Sequence, residues 1–357
     1  MKTGRTAVLL MNVGSPDKPE SWSVWTYLTE FLNDKRVIDL PWLLRKFLVN
    51  FIIIPFRLMN STRLYKLLWT PKGSPLIFYS LEMKDKLQAK LGNDYKVFVA
   101  MRYRKPDYRR VIGEIKHEGF NQLILFPLYP QHAMSTTETT VVAVENEIKR
   151  QKARLEVMVV NQFYDHPEFI NAFAEQGKKY NLSEFNHVVF SYHGLPDRHL
   201  EKCHPGIKVG DCTCHTAMPA HGKFCYRATC YATSRLLAKE LGLKRDDYSV
   251  AFQSRLDKNW MLPFTDEVLL SKLKEGKKRI LVFAPAFVTD CLETIIEIGD
   301  EYREMFHHNG GEKLQLVGSL NAEDNWIKAK ATIINEAINK IYNESALSKK
   351  DVFNMSD

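Results

Sequence analysis

Eight short apolar runs punctuate the chain, at 6–13, 96–103, 122–129 and 155–161, then at 187–193, 249–253, 279–288 and 314–320. Longer stretches with apolar positions at helical spacing lie between them. Near-continuous apolar strands alternating with helices predict parallel sheets covered on both faces. Four strands followed by four more predict two similar α/β units, 1–165 and 166–343. A last amphipathic helix is expected over 322–342, and a polar, frayed tail over 344–357. Residues 40–58 are unusually apolar, but Arg45, Lys46, Asn50 and Pro55 break the run short of a spanning helix. That stretch reads either as a buried helix pair or as an amphipathic lip, part of a segment 40–80, that touches a membrane or an apolar ligand.

Composition narrows the class without naming it. The 357 residues suffice for about two domains. Their 45% apolar and 26% charged content is ordinary for a globular protein. A net charge of +8 allows anionic substrates or acidic lipid. No Arg/Lys-rich module or aromatic-interleaved motif points to nucleic acid, and no G-x-G-x-x-G or Walker motif supports a nucleotide. The apolar run at 7–13 is too short for a targeting segment and lacks a small-residue cleavage site. A cytoplasmic protein is expected, with peripheral attachment to the inner face of the cytoplasmic membrane as the alternative that the lip allows. Six cysteines in a reducing compartment do not predict disulfides. Five of them, Cys203, Cys212, Cys214, Cys225 and Cys230, crowd one stretch and suggest a metal centre.

Open α/β sheets bind ligands beyond the carboxyl ends of their strands. His193 ends one predicted strand and is followed by Gly194-Leu195-Pro196. The strand at 279–288 runs into a helix carrying Asp290, Glu293, Glu297 and Glu301. The three glutamates are four apart and share one helix face, where like charges repel by a few tenths of a kcal/mol per pair. Such a ladder suits binding or conducting a cation; alone, it is also what a solvated helix face looks like. One imidazole opposite one carboxylate is an incomplete coordination shell, suited to a metal that must be handed on.

Seven pieces in order carry a family resemblance: L-L-M-N-V-G-S-P at 9–16, G-S-P-L at 73–76, M-R-Y at 101–103, F-P-L-Y-P-Q at 126–131, S-Y-H-G-L-P at 191–196, F-Q-S-R at 252–255 and F-V-T-D-C-L-E-T at 287–294. Together they resemble the ferrochelatases, lyases that insert ferrous iron into a porphyrin at the end of haem synthesis. The resemblance implies a chelatase-like fold of two Rossmann-like units, each with a four-stranded parallel sheet flanked by helices, and a porphyrin cleft between them. It implies Fe2+ and protoporphyrin IX as substrates, with two protons released. His193 and Glu293 match the paired iron ligands, and Glu297 and Glu301 match carboxylates that conduct metal or protons. Arg102, Tyr103, Ser74, Pro75, Tyr129 and Gln131 are expected at the porphyrin. His193 can accept a proton or ligate iron, but not both in one microstate.

The stretch 199–230 departs from plain family members. Its C-x8-C-x-C-x10-C-x4-C spacing lacks the paired C-x2-C knuckles of a zinc ribbon. Irregularly spaced thiolates suit an iron–sulfur cluster better, and the resemblance to members with an internal cluster implies [2Fe–2S]. Cys212, Cys214, Cys225 and Cys230 are the expected ligands, with Cys203 in reserve; reduced thiols or bound zinc are the competing reading. Cys291 is expected to pack as a small apolar residue. Rival functions are a chelatase for coproporphyrin, or for a cobalt or sirohaem precursor ring, and a non-catalytic metal-sensing or haem-binding protein. The oligomeric state is not legible.

Overall fold

The computed structural model describes residues 6–204 and 206–353, with side-chain surroundings through residue 339. All eight predicted strands form: β1 Thr6–Asn12, β2 Tyr95–Met101, β3 Gln122–Pro127, β4 Glu156–Val159, β5 His187–His193, β6 Tyr248–Gln253, β7 Arg279–Phe283 and β8 Lys313–Leu316. They make two four-stranded sheets ordered β2-β1-β3-β4 and β6-β5-β7-β8, parallel throughout. The first strand of each unit is thus central in its sheet, and β1 is buried along its whole length. This is why those runs read as continuously apolar. Six strands end earlier than their apolar runs. In β7 the cause is plain: Pro285 follows and cannot donate to the ladder.

Helices cover both sheets. The first unit carries α1 Ser21–Leu32, α2 Trp42–Phe47, α3 Ile54–Leu68, α4 Pro75–Leu91, α5 Tyr108–His117 and α6 Thr139–Arg150. The second carries α7 Pro167–Lys178, α8 Asp197–Glu201, α9 Tyr226–Glu240, α10 Thr265–Lys274, α11 Arg303–His308 and α12 Asp324–Phe353. The tail expected to fray at 344 continues α12 to Phe353, because the sequence offers neither Gly nor Pro to stop it; 354–357 lie outside the described residues.

The two units share a core. The largest apolar cluster draws Val8, Phe126 and Phe163 from the first and Phe190, Phe283 and Trp326 from the second. Helix α12 packs on both α4 and α7, so it fastens one unit to the other. Trp326 is fully buried, with its ring centroid 5.7 Å from that of Phe163 and 5.9 Å from that of Phe169. Trp326→Ala is expected to cost about 3–5 kcal/mol while leaving a single unfolding transition. Urea denaturation followed by circular dichroism checks this; two separated transitions would mean that the units are independent.

Candidate active site

β5 and β6 run in register so that His193 stands beside Gln253 at the carboxyl edge of the second sheet. Gly194 follows because nothing larger fits: a Cβ there would lie 2.9 Å from the Gln253 carbonyl oxygen, whose partner is the Gly194 N–H. The Nδ1 of His193 lies 2.6 Å from the Gly194 carbonyl, which only accepts. In the neutral ring Nδ1 therefore carries the proton and Nε2 keeps its lone pair. Trp260 and Phe287 flank the imidazole, with centroids 6.3 and 6.4 Å away.

The glutamates stand on a helix of a different kind from the one expected. Glu293–Tyr302 is π-helical throughout and passes into α11. With i→i+5 bonding, residues four apart fall slightly short of a full turn instead of slightly past it. The ladder survives but leans the other way, and such helices cluster at functional sites. Asp290 does not join it. Its carboxylate accepts from Asn321 Nδ2 at 2.7 Å, the Thr294 hydroxyl at 3.2 Å and the Ser319 N–H at 3.3 Å, which pins the helix start to the segment after β8.

The three glutamates occupy graded surroundings. Glu293 faces the first unit. Tyr27 and Tyr65 are pushed well above the usual phenol range, mainly by burial and then by their neighbours, Glu293 among them. Both tyrosines share an apolar cluster with Tyr103 and Ile296. Glu297 accepts four hydrogen bonds: from Gln253 Nε2 at 3.1 Å, the Ser254 N–H at 2.8 Å, the Ser254 hydroxyl at 2.5 Å and the Tyr302 hydroxyl at 2.9 Å. Glu301 is exposed. Partial burial and then the Glu297 charge raise its carboxyl above the ordinary range, with Arg63 opposing. Gln253 and Ser254, in the F-Q-S-R piece, stand at a strand end where a ligand is expected, but nothing in the sequence shows that they hold Glu297.

The residues expected at the porphyrin are placed unequally. Arg102 gives its guanidinium to Asp34 at 2.5 Å and to the Thr139 hydroxyl at 3.0 Å, and the Tyr103 hydroxyl donates to the same Asp34 at 3.0 Å. Burial alone would raise Asp34; the Thr139 hydroxyl, the Arg36 N–H and Arg102 outweigh it and hold the carboxyl below its usual range. Gln131 is buried and bonds Thr233 across the units at 3.0 Å. Tyr129 is raised by burial. Ser74 caps the start of α4, where Pro75 is the first residue, and its hydroxyl is buried without a partner.

The 40–58 stretch is not a buried pair. α2, a π turn at Leu48–Ile53 and α3 form one continuous rod. The turn ends just ahead of Pro55, whose ring would otherwise meet the carbonyl four residues back. Trp42, Leu43, Phe47 and Phe51 are exposed, and Phe56 and Met59 are 83% and 84% exposed. Among the described residues no helix is long and apolar enough to cross a membrane.

In the insert, Cys212, Cys214, Cys225 and Cys230 are buried and Cys203 is exposed. Burial pushes the Cys214 thiol up to about 12. A metal taken up here would displace thiol protons. Cys291 is buried in the core as expected.

A ferrochelatase family model matches residues 5–338. The ferrochelatase of Legionella pneumophila (strain Paris) is 41% identical over 338 residues, covering 94% of this chain and 100% of that relative. That of Coxiella burnetii is 39% identical over 341 residues, 94% of each chain. The chain belongs to the ferrochelatase family. Like its relatives, this ferrochelatase is a lyase that inserts iron into a porphyrin in haem biosynthesis. In fold, it is similar to SirB from Bacillus subtilis solved with Fe3+, with a TM-score of 0.54 at 12% identity over 93% of this chain and 95% of that one.

The graded ladder makes a prediction. Glu297→Gln removes the charge beside Glu301, so the Glu301 titration midpoint is expected to fall toward the ordinary carboxylate value. Carbon-detected NMR of the labelled carboxyl reads this; an unmoved midpoint would leave burial and the Asp300 and Glu304 charges as the causes.

Proposed function

We propose that the porphyrin is protoporphyrin IX, held between the two units, and that His193 takes the pyrrole protons while Glu293, Glu297 and Glu301 carry charge outward. The lone pair on His193 Nε2, fixed by the Nδ1 bond to Gly194, carries this reading. Insertion exchanges two N–H protons of the ring for Fe2+. Each proton needs a base at the ring face and an exit, and the three carboxylates step from half-buried to exposed. Glu293 meets Fe2+, and His193 completes its shell in the microstate where the imidazole is unprotonated. Two weak ligands let the metal pass on. An apolar cleft that grips a distorted ring lowers the barrier further. Tyr103, clustered with Ile296, walls the cleft, and Ser74 offers its free hydroxyl to a propionate. Tyr129 and Pro75 line the same mouth. Arg102 and Gln131 position these groups through Asp34 and Thr233.

Protoporphyrin is favoured over coproporphyrin because three arginines of the first unit are already engaged: Arg36 with Glu138, Arg102 with Asp34, and Arg104 with Asp17 and Glu30. A ring with four carboxylates would need free ones. The thiols of the insert suit a [2Fe–2S] cluster held by Cys212, Cys214, Cys225 and Cys230, with Cys203 in reserve. Cys225 reaches electrostatically to both Cys212 and Cys214, and Cys230 to Cys225 and Cys214. When bound, such a cluster supplies one-electron exchange and ties the insert together. The exposed aromatic face of α2 and α3, flanked by Lys46 and Lys66, fits peripheral contact with an anionic bilayer from the cytoplasmic side.

Two experiments test the reading. Anaerobic Fe(II) insertion is expected to run faster with protoporphyrin IX than with coproporphyrin III, and His193→Ala is expected to lower turnover by about 100-fold or more. Wild-type turnover in that variant would remove His193 from the proton path. In vesicle flotation, Phe56→Glu with Met59→Glu is expected to release the protein from anionic liposomes; undiminished binding would refute contact through the lip.

A further inference from the structure

The insert brings together a second donor set that competes with the thiol cluster for Cys212. The rings of His204 and His221 face each other with centroids 5.0 Å apart. Cys212 Sγ lies 3.4 Å from His221 Nε2. One ligating atom from each of His204, Cys212 and His221 falls within 4.8 Å of the other two. His204 is 4% exposed and Cys212 is 5% exposed, so the set is largely dry.

We infer that His204, Cys212 and His221 form a mononuclear site for a borderline-soft divalent cation, zinc being the best match. Tetrahedral zinc, with about 2.3 Å to sulfur and about 2.0 Å to nitrogen, sets its S···N edges at about 3.5 Å, close to the 3.4 Å found here. The Nδ1 of His204 lies 3.0 Å from the Ile207 carbonyl, which only accepts. That nitrogen holds the ring proton and leaves Nε2 as the donor, the outer arrangement that ligating histidines adopt. Two imidazoles and one thiolate select zinc-like ions over magnesium or calcium. The fourth position is left to water or to a neighbouring thiol. Binding forms one S–metal bond and two N–metal bonds, and the Cys212 thiol proton leaves to solvent.

The site goes beyond the iron-insertion reading and reallocates the five cysteines. With Cys212 given to the histidines, Cys203 completes the remaining four, and the thiols of Cys203, Cys214 and Cys230 each lie within electrostatic reach of Cys225. The ion would also close the loop from His204 to His221, whose only helical turn among the described residues is Val209–Asp211. Such closure contributes more as the loop lengthens.

The test is an anaerobic Co(II) titration of the full chain after divalent metal has been removed with chelator under non-reducing conditions, so that any cluster keeps its own thiols occupied. One equivalent is expected to bind with tetrahedral visible bands and a near-ultraviolet thiolate-to-cobalt band, and zinc is expected to displace it. Cys212→Ser and the double variant His204→Ala with His221→Ala should lose these signals, whereas Cys203→Ser should keep them. His221→Gln is the milder control, and an unchanged far-ultraviolet circular-dichroism spectrum shows that each variant folds. Absence of a one-equivalent site, or a cobalt spectrum unmoved by the histidine substitutions, overturns the inference. Inorganic sulfide and visible absorption in the protein as purified report the cluster separately. Sulfide lost with Cys214→Ser but kept in the double histidine variant supports two centres. Sulfide lost with Cys212→Ser, with no cobalt site, returns Cys212 to the cluster and overturns this site. A cobalt site without sulfide removes the cluster alone.

Discussion

The buried side-chain amide of Gln253 is the constraint on which the site depends. Its oxygen accepts from the Ser191 hydroxyl at 2.7 Å, which fixes which way the amide points. Its nitrogen donates to the Glu293 carbonyl and the Glu297 carboxylate, both at 3.1 Å. One group thus ties the edge of the sheet that presents His193 to the first turn of the helix that presents the glutamates. A buried amide is costly to leave unpaired, by about 1–3 kcal/mol. The β5–β6 edge and the π-helix are therefore held to one relative position, and the imidazole and carboxylates with them.

The π geometry follows from the same region. Asp290 and Asn321 clamp the helix entrance, while Ser254, at φ 63°, turns its N–H and hydroxyl onto Glu297 from the other side. Donors that converge on a mid-helix carboxylate offset the repulsion a glutamate ladder would otherwise feel. Glu301, without such donors, keeps its raised carboxyl. The ladder is thus a gradient of surroundings rather than a row of equivalent charges.

The fold was legible because buried parallel strands are written as continuous apolar runs, and β1 and β5 are buried at nearly every residue. His193 and the glutamate spacing were legible because each is local. What escaped was non-local or isoperiodic. A four-residue spacing suits an α-helix and a π-helix alike, so the sequence could not tell them apart. The engagement of Arg102 and Tyr103 depends on Asp34, nearly seventy residues earlier, and nothing near Met101 announces it. The run at 40–58 was equally apolar under either of its readings; only the position of α2 and α3 at the rim of the first unit decides that their aromatic face stays outside. The meeting of His204 and His221 with Cys212 was hidden because three histidines lie among the five cysteines and their spacing does not say which of them come together.

The insert and the lip are mechanically joined. α8, which opens the insert, sends Arg198, His199 and Lys202 to one carboxylate, Asp39, just ahead of Trp42. Burial pushes Asp39 up, but Lys202, Arg198 and His199 outweigh it and hold the carboxyl far below its usual range. A depressed carboxyl lends stability above its unfolded pKa, about 3.9, and loses it as pH falls below that toward the folded value, so the joint is intact at neutral pH. The contacts with Asp39 thus connect the start of the insert to the start of the rod formed by α2 and α3, so two segments of the chain that the sequence sets 159 residues apart at Asp39 and Arg198 are packed as one.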